Sequence, residues 1–186
     1  MKRIIFTVSV PLVIIGSLIA IVAQTERPTI YIDKEICPGE ACSYDGQIKV
    51  LKKTPAYAQP NLTQTIIYEF NAGEIVTASE SQVHTVAGRF TAKRDHEKYK
   101  AGDVLWAYTY LGEGVFKVWH EGRMYEETLG FGPGGGTAGK RCEKSADCWG
   151  ELERELEMSW WLKIKSVDGR EGWVRVDENL EWLEKG

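Results

Sequence analysis

The groups that most often carry chemistry are scarce in this sequence. Histidine occurs only as His84, His96 and His120, and no G-x-S-x-G motif is present. A hydrolase needs a nucleophile partnered by a base, and the sequence offers no such pair by motif. Acidic residues are plentiful, yet none stand out in pairs as a general acid and base. The four cysteines include no C-x-x-C, and no histidine sits at zinc-finger spacing, so neither a redox nor a zinc site is expected. Residues Gly134 to Lys140 spell G-x-x-x-x-G-K, but Arg141 follows where a phosphate loop needs Ser or Thr for magnesium. Neither sign of charge dominates: 23 basic and 27 acidic residues are interspersed, for a net charge of -4. Nucleic-acid binding needs a clustered basic face, so it is set aside. Together these absences point away from catalysis, cofactors and metals.

The first residues read as an export segment. Lys2 and Arg3 supply a positive end, and Ile4 to Ala23 is apolar apart from Thr7, Ser9, Pro11, Gly16 and Ser17. Small residues at Ala20 and Ala23 suit cleavage, and the run is also long enough to remain as a membrane anchor. No cysteine lies at its end, which argues against a lipid anchor. The cysteines fall as Cys37 with Cys42 and Cys142 with Cys148. An even count in an exported chain implies disulfides; three connectivities are open, and the two local pairs are the expected ones. Short loops gain little from chain entropy, so each bridge would pin a loop and not hold the fold.

Beyond residue 44 the grammar is that of β-structure. Short β-branched and aromatic runs, separated by turn residues, place strands at Ile48 to Leu51, Ile66 to Phe70, Ile75 to Ala78, Val104 to Tyr110, Val115 to Trp119, Trp160 to Ile164 and Trp173 to Val176. Asp168-Gly169 predicts a type I′ hairpin turn, because both central residues tolerate positive φ. Trp106, Tyr108 and Tyr110 are expected on one buried face. One stretch departs from the pattern: Trp149, Leu152 and Leu156 recur at helical spacing, which predicts a short surface helix over Ser145 to Met158, with Ser145 as N-cap.

Near the C-terminus, Trp161-Leu162-Lys163-Ile164, Asp168-Gly169-Arg170 and Gly172-Trp173-Val174 form a pattern that resembles the last hairpin of bacterial SH3-like domains. Thr54 to Asn61 is similar to that family's opening strand and long loop, and Gly73-Glu74-Ile75-Val76 to its G-(D/E)-x-V strand. Alternation buries Trp160, Leu162 and Ile164 and turns Trp161 the other way, and Gly172 lets the backbone pass close to a neighbour. The middle of the chain departs from the family. Gly102-Asp103-Val104 and Phe116-Lys117-Val118 with Glu121-Gly122-Arg123 echo the frame, which implies either a second SH3-like unit, nested or tandem, or one decorated barrel.

The expected organisation is therefore a signal peptide or anchor over residues 1–24, a linker and first disulfide loop over 25–43, and the first part of a barrel over 44–80. An inserted or second β-unit follows over 81–131, then a Gly-rich loop, the second cysteine pair and the helix over 132–158, and a closing hairpin and tail over 159–186. The fold class is mainly β, with one or more SH3-like small barrels.

The resemblance implies an exported, non-enzymatic binding module for a cell-envelope ligand, a peptidoglycan peptide or glycan, held by Tyr57, Trp161, Trp119 and Tyr125. A protein partner in the envelope is the alternative. A hydrolase is the minor one, since SH3-like domains of exported bacterial proteins often accompany peptidoglycan peptidases.

Overall fold

The computed structural model describes residues 26–38, 43–130 and 149–183, and these form thirteen β-strands and no helix. The protein is mainly β, as its alternating runs predict. The export segment, the Gly-rich loop, Cys42, Cys142 and Cys148 lie outside the described residues.

The larger sheet is built on two long antiparallel strands, β5 (Ile75–Val86) and β11 (Glu157–Ser166), paired along their whole length. On its other edge β5 carries β1 (Ile30–Lys34) and β2 (Gln47–Val50), each on a different half. β13 (Leu180–Trp182) pairs with β2, while β12 (Glu171–Arg175), β3 (Thr54–Tyr57) and β4 (Ile66–Phe70) extend the sheet beyond β11. Residues from both ends of this order meet in one core: Leu180 of β13, Ile48 and Val50 of β2, Leu162 and Ile164 of β11, Val174 of β12, and Phe70 of β4. The sheet thus curls into a half-barrel around them. Each such buried aliphatic side chain contributes about 1.5 to 3 kcal/mol relative to exposure.

The closing hairpin follows its sequence pattern with one change. Asp168 does not take positive φ and Gly169 does, at 89°, so the chain turns through a four-residue loop and not a two-residue type I′ turn. Ser166 fixes that loop: its N–H donates to the Arg170 carbonyl at 3.0 Å. Arg170 then bridges Asp168 and Glu74, at 2.8 Å each, which ties the hairpin to the β4–β5 turn. Gly172 passes close to a neighbour as expected, since a Cβ there would lie 3.0 Å from the Ala56 Cβ and 3.1 Å from the Tyr68 hydroxyl.

A bulge in β5 decides which side chains face where. Ala78 pairs with Ile164 and Glu80 with Lys163, so Ser79 is the extra residue. Before it, Val76 and Ala78 point into the half-barrel; after it, Ser81 and Val83 pair with Leu162 and Trp160 on that side, and Gln82, His84 and Val86 are turned to the opposite face. A one-residue shift in a strand exchanges its faces, and here the shift is built in.

The second sheet lies, in sequence, between β5 and β11. It comprises β6 (Gly88–Ala92), β7 (Val104–Gly112), β8 (Val115–His120), β9 (Arg123–Thr128) and β10 (Gly150–Arg154), in the order β10-β6-β7-β8-β9. Its core holds Phe90, Leu105, Phe116, Val118, Trp149 and Leu152.

The helix expected over Ser145 to Met158 is corrected here: from Gly150 onward the chain is β10 and the start of β11. Gly150 and Leu152 pair with Ala92 and Phe90 on the core side. The acidic residues that read as a solvated helix face are instead cross-strand partners, Glu151 and Glu153 meeting Lys93 at 3.2 and 3.1 Å, and Glu153 also meeting Arg89.

Two further expectations change. Trp106, Tyr108 and Tyr110 do not share a face, because the β7–β8 register shifts between Ala107 and Tyr110. Tyr110 packs on the inner core, while Arg27 sits 4.1 Å from the Trp106 ring and the Tyr108 hydroxyl donates to the Pro28 carbonyl at 2.5 Å. The segment 25–43, read as a linker and first disulfide loop, holds β1. Its inner side is fastened to the second sheet by Asp33, 2.7 Å from Lys117, and by Tyr31, whose ring centroid is 5.4 Å from that of Tyr108.

Candidate functional site

The face that the Ser79 bulge turns outward becomes the floor of a groove of about 740 Å³. Four strands contribute to it in register. In the first row Lys34 of β1 lies opposite Gln82 of β5, Gln82 opposite Trp161 of β11, and Trp161 opposite Arg175 of β12. The second row is Ile32, His84 and Ser159, and the third is Ile30, Val86 and Glu157. The β3–β4 loop, through Gln59, Pro60, Asn61 and Leu62, forms a side wall. That wall is braced locally, since the Asn61 carboxamide oxygen accepts from both the N–H and the hydroxyl of Thr63 at 2.9 Å.

The rows differ in character. The β1 edge is apolar and open: Ile30 is 52% exposed, Ile32 47% and Val86 beside them 40%. Cations flank the first row and a carboxylate lies in the third. At the centre, His84 Nε2 is 3.0 Å from the Gln82 carboxamide oxygen, and its ring is tilted toward Trp161 at 6.2 Å. Burial holds the His84 imidazole below its usual pKa, because the charged form loses solvation. Ser159 is opposite His84, but its hydroxyl accepts from the Trp161 indole N–H at 3.3 Å and no hydrogen bond joins the serine to the histidine.

Tyr57 and Trp161, expected to flank one groove, are brought together, with ring centroids 5.9 Å apart and an edge-on arrangement. They are not exposed anchors, however. Trp161 is 3% exposed, Tyr57 7% and Trp173 6%, and the three form a small apolar cluster on the outer face of the half-barrel. Alternation was right that Trp161 points away from Leu162 and Ile164, and wrong to equate that face with solvent, because Tyr57 and Trp173 cover it.

Trp119 and Tyr125 belong to the second sheet and do not reach the groove. Trp119 pairs with Trp106 and Met124, while Tyr125 packs against the inner core with the Lys98 ammonium 3.8 Å from its ring centroid.

Of the other histidines, His96 lies in the connection between β6 and β7, stacked on Trp149, and His120 ends β8, beside Tyr99. Among the described residues no group of three or more His, Cys, Asp or Glu is placed to hold a metal.

Sequence reasoning missed Ile30, Ile32, Lys34, Gln82, His84 and Val86 as groove residues. A signal existed for β1: Ile30-Tyr31-Ile32-Asp33 alternates, as a strand with two different faces does. Nothing in the sequence marks Ser79 as a bulge. Compared with family models, curated proteins and solved structures, the chain has no match.

Proposed function

We propose that the chain is an exported, non-enzymatic binding module of SH3-like type that holds a cell-envelope ligand, a peptidoglycan peptide or glycan, in the groove on β1, β5 and β11. The observation that carries this reading is the groove: an open sheet face with exposed aliphatic side chains, uncommitted charges and a braced loop as its wall. Ligand sites of this kind combine an apolar floor with a few placed polar groups. The curled sheet and the Asp168-Gly169-Arg170 hairpin are compatible with a small SH3-like barrel, and the envelope assignment follows from the family resemblance and the apolar N-terminal run.

In this reading the cysteines pair locally, Cys37 with Cys42 and Cys142 with Cys148. A protein partner is the second reading, favoured by the exposure of Ile30, Ile32 and Val86 side by side. Co-sedimentation with purified peptidoglycan sacculi separates the two. The parent protein is expected in the pellet, and a protein that stays in the supernatant removes the peptidoglycan reading.

A further inference from the structure

We infer that the groove takes a short extended peptide of fixed polarity, with a free carboxylate over the Lys34–Arg175 row and an amine toward Glu157; this rests on the envelope-ligand reading above and narrows it.

The charges are placed for such a ligand. Lys34 and Arg175 flank Gln82 and Trp161 in one row, and neither forms an ion pair among the described residues. The next row along the same strands is neutralised, because Lys163 meets Glu80 at 2.9 Å and Glu171 at 2.7 Å. Two cations are therefore left uncommitted where the groove begins. A carboxylate lying over the middle of that row is within reach of both flexible side chains, and the Arg175 fork suits its two oxygens.

Glu157, also without an ion-pair partner among the described residues, ends the groove two rows away. Four residues of strand separate the charged rows, a span of about 13 Å, which an extended peptide of about four residues covers. Between them Ile32 and Ile30 line one side and offer apolar contact to side chains.

The exposure of the side chains decides between peptide and glycan. Sugar rings stack on exposed aromatic faces, and the aromatics near this groove are closed to them: Trp161 is 3% exposed and Tyr57 7%. What is open is aliphatic and charged, which suits a peptide.

The test uses the full chain and stem peptides released from sacculi by an amidase, with binding measured by calorimetry. Three forms of the peptides are compared: native, with carboxylates amidated by carbodiimide coupling, and with amines acetylated. Native peptides are expected to bind, and amidation to weaken binding about tenfold, as for loss of one charge-assisted contact. Lys34→Gln, Arg175→Gln and Glu157→Gln should each weaken it as well. All three sites are exposed, and circular dichroism verifies that the variants fold. Equal binding of native and amidated peptides, or Lys34→Gln and Arg175→Gln variants that bind like the parent, overturns the inference, and acetylated peptides that bind like native ones, or a Glu157→Gln variant that binds like the parent, overturn its polarity. Binding of the freed glycan strands and not the peptides overturns it while leaving the envelope-ligand reading intact. If peptides, glycans and intact sacculi all fail to bind, both fall.

Discussion

The ring of Tyr57 stands edge-on to that of Trp161, 5.9 Å between centroids and 81° between planes, and the contact seals the outer face of the half-barrel beside the groove. Both side chains are buried there with Trp173. Trp161→Ala and Trp173→Ala should therefore destabilise the protein by similar amounts, about 3 to 5 kcal/mol each. Urea denaturation checks this. A Trp161→Ala variant as stable as the parent would show that the face is solvent-exposed after all.

Ser79 sets the register of everything beyond it in β5. Its hydroxyl makes one bond, to the Lys163 carbonyl at 3.2 Å, so Ser79→Ala should change stability by no more than about 0.5 kcal/mol. Deleting Ser79 is different, since Gln82, His84 and Val86 would then be driven to the buried face. The deletion variant should lose its cooperative thermal transition. A deletion variant that melts like the parent contradicts the bulge.

Gly150 has no room for a side chain, because a Cβ would lie 2.2 Å from the Phe90 Cζ and 2.7 Å from the Thr91 carbonyl. Gly150→Ala should cost about 1 to 3 kcal/mol as overpacking. Phe90→Leu in the same chain should recover part of that loss, and thermal melts of the single and double variants measure the recovery. No recovery would place the strain on the Thr91 backbone instead.

His84 links the groove to pH. Burial lowers its folded pKa below the unfolded value near 6.5, so below that value the unfolded chain binds the proton more readily. Stability is then complete above pH 6.5 and falls as the pH drops toward the folded pKa. His84→Gln should flatten the melting temperature between pH 5 and 7 relative to the parent. Parallel profiles for the two proteins would remove His84 from the account.

The proposed cysteine pairing predicts two small loops, Cys37–Cys42 and Cys142–Cys148. Peptide mapping without reductant should recover both, and a Cys42–Cys142 peptide would contradict the local pairing.

What could be read in advance followed from local alternation. Leu162 and Ile164 face the core and Gly172 lies against Ala56, as the residue pattern around the Asp168-Gly169-Arg170 turn requires. What could not be read depended on partners distant in sequence. β1 is a strand because β5 pairs with its edge and the second sheet takes up its inner face; the spacing of Trp149, Leu152 and Leu156 suits a helix until Phe90 and Lys93 are known to lie alongside. The groove was hidden for the same reason. Its floor is set by one extra residue in β5, and only its Tyr57 and Trp161 border was legible, with the exposure of those two rings misjudged.

Substituting the exposed aliphatic residues of the β1–β5–β11 groove tests whether it binds an envelope ligand, without touching the core. Ile32→Glu combined with Val86→Glu changes side chains that are 47% and 40% exposed, so the variant should keep the parent's circular dichroism spectrum. Co-sedimentation with purified sacculi is the measurement. The account predicts that the parent pellets and the folded double variant remains in solution; a folded double variant that pellets as fully as the parent would contradict it.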